Sequence, residues 1–189
     1  MRKLYLFICL VIVSSPSYAH GFSGHGFLQS LTGIDHLLTM LAIGVWGAKI
    51  GGRAIYLVPL SFLTILFLGA LIGLNNYHIQ NLEYMIVISV VLLGIVITIN
   101  KKIYIAIAMV GSAIFGLIHG FAYANELSEG ISATKHITEF LITALGLNAL
   151  GVTGALLMFE RKRGVQNLRI LGLLILIFGT LLTLKLILI

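Results

Sequence analysis

The chain has 189 residues, of which 59% are hydrophobic and 10% charged, with a mean hydropathy of +1.10. Soluble domains carry roughly 25% charge, so this composition excludes a water-soluble globule and, with it, a soluble enzyme domain. One cysteine excludes a disulfide scaffold, and the net charge of +6 falls in short clusters between apolar runs, the pattern of membrane topology signals and not of a nucleic-acid groove. The reading left is all-α: a polytopic membrane bundle in contact with a lipid bilayer and no nucleic acid.

Residues 1–19 predict an export signal. Arg2 and Lys3 form its positive start, and Leu4 to Val13 an apolar run too short for a hydrocarbon core of about 30 Å. Pro16 breaks the helix, and Ser17 and Ala19 are the small residues of a cleavage site, so cleavage after Ala19 is expected to leave His20 first. Cys9 would leave with the leader, and the mature domain, 20–189, would hold no thiol.

Six apolar runs follow, near 31–49, 54–73, 83–99, 103–123, 137–158 and 168–188, each long enough for one crossing. They lack the alternation of barrel strands, so six transmembrane helices are expected. With the mature N-terminus exported, the first helix runs inward. The inner loops then hold Lys49, Arg53, Lys101, Lys102, Arg161, Lys162, Arg163 and Arg169, against only Lys135 and Lys185 outside. This positive-inside bias predicts an inner (cytoplasmic) membrane protein with both mature termini periplasmic. Gly47 and Gly51, Gly69 and Gly73, Gly116 and Gly120, and Gly151 and Ala155 are spaced for close helix packing.

On that topology all six histidines, His20, His25, His36, His78, His119 and His136, fall on the outer side or in the outer half of a helix. Five of the six acids, Asp35, Glu83, Glu126, Glu129 and Glu139, do the same, and Glu160 alone lies inside. Asp35 and His36 stand four to five residues into the first run, roughly 6–8 Å deep at 1.5 Å per residue. An ionisable pair within a span is costly and marks an ion or substrate path, or else orients a neighbour structurally. His119 lies at a comparable depth near the outer end of the fourth run, on a face with Ser112, Gly116 and Tyr123. His136 and Glu139 share the outer start of the fifth run, with Thr143 one turn deeper, a spacing that suits chelation or an ordinary solvated helix start. Glu126 and Glu129 sit in the longest loop, His78 in a polar turn, and Met40, one turn below His36, reads as packing. The tail from His20 to His25 offers an amine and two imidazoles to a metal, or is an ordinary glycine-rich tail.

Imidazole and carboxylate without thiol suit a divalent transition metal ion, Ni²⁺, Co²⁺, Zn²⁺ or Cu²⁺. The candidate ligands are Asp35, His36, His119, His25, His20, Glu126, His136 and Glu139. No nucleotide-binding loop, no His-Glu-x-x-His pair and no Gly-x-Ser-x-Gly elbow occurs, which leaves a non-enzymatic reading ahead of a metal-dependent membrane enzyme.

The stretch Gly33-Ile-Asp35-His36-Leu-Leu-Thr-Met-Leu-Ala-Ile-Gly44-Val-Trp46 resembles the first signature of the HupE/UreJ family. His119-Gly120-Phe121-Ala122 resembles part of the second. The chain departs from the family pattern at Gln29, where the family has a histidine, and at Ala124, Asn125 and Leu127, where it has His-Gly and an acid. The resemblance carries over Asp35, His36 and His119 as ligands, with His25, Glu126 and His136 as substitutes for the missing ones. It implies an inner-membrane permease for nickel, or sometimes cobalt, entering from the periplasm. Its implied partners are a metallochaperone or the hydrogenase and urease maturation proteins. A metal-binding accessory subunit or sensor without transport is the rival reading.

Overall fold

The structure, a computed structural model, describes residues 33–75, 79–99, 101, 103–125, 127 and 132–188. The expected leader, and with it His20, His25, Gln29, His78, Lys102, Glu126 and Glu129, lie outside the described residues.

Every regular element among the described residues is a helix: α1 Ile34–Ile50, α2 Ala54–Gly73, α3 Leu82–Thr98, α4 Ile105–Asn125, α5 Ala133–Phe159 and α6 Gly164–Leu188. They follow the six apolar runs, with two early starts. Helix α5 begins four residues before its run and α6 four before its own. Their first turns, Thr134-Lys135-His136 and Gln166-Asn167, are polar, so hydropathy misses them. The backbone is helical there regardless, with His136 N–H donating to Ser132 O at 3.0 Å and Asn167 N–H to Arg163 O at 2.9 Å.

Four helices, α2, α4, α5 and α6, are long and apolar enough to cross a membrane. Helix α3 is apolar but shorter, at 17 residues, and α1 has the same length with Asp35, His36 and Lys49 in it. The exterior is apolar: Leu60, Ile107, Val110, Ile142, Leu157 and Ile177 are each more than half exposed. Such a surface suits lipid and not water, and the chain is a multi-pass membrane protein.

The helices pack most closely as three pairs, α2 with α4, α3 with α6, and α1 with α5. Missing side chains set these approaches. Gly69 and Gly73 lie against the α4 backbone at Leu117 and Phe121, while Gly116 and Gly120 lie against the carbonyls of Phe62 and Leu66. In the same way Gly44 meets the Asn148 carbonyl and Gly151 meets that of Leu41. A methyl group at any of these positions would collide with backbone, which is why small residues occupy them. The Gly47 and Gly51 pair does a different job: Gly47 abuts the Ala54 carbonyl, and Gly51, at φ 81°, opens the sharp turn from α1 into α2.

This up-and-down order places the starts of α1, α3 and α5 beside the ends of α2, α4 and α6. That is the histidine end. The opposite, basic end carries Lys49, Arg53, Lys101, Arg161, Lys162, Arg163 and Arg169. There Lys49 Nζ donates to the carbonyls of Val96 (2.9 Å), Ile97 (2.7 Å) and Ile99, the open acceptors at the end of α3.

Candidate metal site

The first turn of α1 starts from Gly33, whose extended backbone supplies no side-chain cap. Asp35 fills that role in part. Its Oδ1 accepts the His36 backbone N–H at 2.8 Å and His36 Nδ1–H at 3.1 Å. The carboxylate thereby anchors the imidazole of the next residue. His36 is only 7% exposed and turns inward, where its ring meets that of His119 from α4. The centroids are 4.7 Å apart, with the planes at 79°.

His119 is fully buried, and its Nε2 lies 2.8 Å from Ser89 Oγ on α3. The Ser89 hydroxyl donates to Ile86 O at 2.6 Å, so its oxygen accepts from His119 Nε2–H. His136 on α5, also fully buried, donates from Nε2 to the Tyr123 carbonyl at 3.2 Å. Its ring stacks on that of Tyr123 at 4.1 Å, and Tyr123 stacks in turn on Phe140 at 3.6 Å. Phe140 lies 5.9 Å from the His36 ring.

The three tautomers follow from these partners. In His36 the proton sits on Nδ1, in His119 and His136 on Nε2. The remaining nitrogens, His36 Nε2, His119 Nδ1 and His136 Nδ1, are buried with no hydrogen-bond partner among the described residues. Each is an unprotonated lone pair, the form that ligates a metal, and each ring is held at its other nitrogen by a carboxylate, a hydroxyl or a carbonyl. Two imidazoles bound to one ion at about 2.0–2.1 Å stand about 4.5–5.1 Å apart between centroids for coordination angles from square to tetrahedral. The His36–His119 separation falls inside that range.

The candidate ligands thus divide. Asp35, His36 and His119 come together, with Asp35 spent on orienting His36. His136 stands beyond Tyr123, whose ring is 6.5 Å from that of His36. Glu139 is not brought to His136: it is partly exposed, and its carboxylate lies 3.9 Å from Lys135 Nζ. Thr143 closes on its own helix through Glu139 O at 2.8 Å. Ser112 and Gly116, expected on the His119 stripe, serve the α2 contact instead, with Ser112 Oγ 2.6 Å from Ser61 Oγ. Among the described residues no three His, Cys, Asp or Glu side chains form a ready-made cage. His20, His25 and Glu126 lie outside the described residues.

Sequence reasoning missed Ser89 and the Tyr123 carbonyl. Ser89 had a signal, as the lone hydroxyl residue within the apolar stretch Met85–Ile97. The carbonyl had none, because any residue could supply it.

The family model described as HupE / UreJ protein matches residues 8–182. The chain is similar to Protein HupE of Rhizobium leguminosarum bv. viciae, 31% identical over 170 residues that cover 86% of this chain and 88% of that protein. No solved structure matches the chain.

Proposed function

We propose that this chain, which belongs to the HupE/UreJ family, is a permease of the inner membrane that carries a divalent transition-metal ion, nickel foremost, in from the periplasm. The observation that carries the reading is the buried His36–His119 pair, each with one ring nitrogen that has no partner among the described residues. On this reading, with six crossings and a cleaved leader, the pair would face the periplasm and the lysines and arginines of the opposite end the cytoplasm. Asp35 would hold His36 in its ligating tautomer and offset part of the ion's charge in a low-dielectric cleft. An ion arriving with its water shell would exchange some waters for the two imidazoles. Two ring ligands without a closed cage among the described residues suit a carrier, which must let its cargo go. Cobalt, zinc and copper share these ligand preferences, so the donor set selects the class and the family resemblance favours nickel.

The basic end supports a rival. Among its described residues there is no histidine to receive an ion, which favours a metal-binding accessory subunit or sensor that captures the ion and passes it to a partner without transport. Hand-over to a cytoplasmic metallochaperone or to hydrogenase or urease maturation proteins would meet the same lack. Purified full-length chain in liposomes, loaded with a nickel-sensitive dye, separates the two. The permease reading expects Ni²⁺ entry that D35A and H36A each depress. Wild-type entry in both variants removes the assigned site, and no entry with intact Ni²⁺ binding favours the accessory subunit.

A further inference from the structure

The middle of the bundle holds a buried polar group that the histidine site does not use. Asn148 lies on α5 on the inward face that also carries His136, Phe140 and Ala144, each four residues from the next. It is 2% exposed. Its Nδ2 donates to Ala144 O at 2.7 Å, and because a carbonyl only accepts, that bond fixes which end of the amide is which. Its Oδ1 is buried with no partner among the described residues. The backbone of Asn148 meets α1 at Gly44, eight residues beyond His36, or about 12 Å deeper at 1.5 Å per residue. A buried acceptor is thus left open on the inward face of α5, which is what a water-bearing site needs and a dry core avoids.

An unpaired carbonyl oxygen inside a membrane bundle costs stability. Leucine, of similar volume, would remove the cost. We infer that Asn148 Oδ1 is a second, mid-membrane station for the partly hydrated divalent cation, accepting a hydrogen bond from a metal-bound water on the ion's way from the His36–His119 pair to the basic end. The inference rests on the permease reading.

The test uses full-length protein in liposomes with Ni²⁺ as the probe, alongside Ni²⁺ binding and thermal unfolding in detergent. N148L is expected to cut Ni²⁺ entry about tenfold or more, the worth of one hydrogen bond to a charged group. Ni²⁺ affinity is expected to stay within about twofold, and the melting temperature to hold or rise, because the orphan oxygen is gone. N148D, of equal size, is expected to slow entry while retaining an additional Ni²⁺ per chain, and it keeps the inference testable if N148L does not assemble. Wild-type entry in either variant overturns the station. So does a collapse in stability of both variants, which assigns Asn148 a structural role. If H36A abolishes entry and N148L does not, only this inference fails; if wild-type protein passes no ion, it fails together with the permease reading.

Discussion

At the histidine end of the bundle, three imidazoles among the described residues are buried, each held at one nitrogen and open there at the other. At the basic end, Arg161, Lys162 and Arg163 stand exposed at the turn between α5 and α6, and Lys49 spends its ammonium on three α3 carbonyls. The two ends are built from the same helices and differ in what their polar groups are left free to do. Burying an unpaired lone pair is costly, and exposing a charge is cheap. A stability requirement alone explains the second end and not the first.

The contrast breaks first at the ring nitrogens. Substituting both His36 and His119 by alanine is expected to weaken Ni²⁺ binding by at least about 100-fold, since losing the groups that merely orient a ligand already costs 10–100-fold. Equilibrium dialysis measures it, and binding within a few fold of wild type would place the ion elsewhere. D35A removes only the anchor of His36 and is expected to cost about 10–100-fold, with S89A at the low end of that range through His119.

Acid sharpens the same comparison. The ligating imidazole is the neutral one, so protons compete with the ion and binding falls as pH falls. Ni²⁺ affinity, read by equilibrium dialysis, is expected to fall on acidification of the wild-type chain and to lose part of that dependence in H36A. An acid dependence unchanged in H36A would place the ion on other groups.

Packing and basic-end variants should leave the binding chemistry alone. G120L forces a side chain onto the Leu66 carbonyl and is expected to cost about 1–3 kcal/mol of stability, read as an earlier thermal transition in detergent. K49A uncovers the end of α3, a loss of about 0.3–1 kcal/mol, with Ni²⁺ affinity unchanged. A large affinity loss in K49A would mean that the two ends are coupled.

The helices were legible because each lies in a run that hydropathy marks, and the ends were missed only where the first turn is polar, as at Ala133 and Gly164. Asp35, His36 and His119 were legible for the opposite reason: polar side chains in apolar runs stand out. What the sequence hid is rotation between helices. Periodicity put His136 and Glu139 on one face, yet three residues span 300° of turn, and the remaining 60° sends one ring into the core and the other carboxylate toward Lys135. Ser112 shares the His119 face but stands seven residues away along the axis, about 10.5 Å, where it meets Ser61 of α2. Asn148 was legible as a carboxamide within a span and escaped notice beside the louder histidines.

X-ray absorption at the nickel edge on the purified full-length chain tests the shared grip of His36 and His119 most directly. Two imidazole rings in the Ni²⁺ scattering shell, falling to one in H36A and in H119A, is the expected result. A shell of oxygen atoms alone, or one that neither substitution alters, would contradict it.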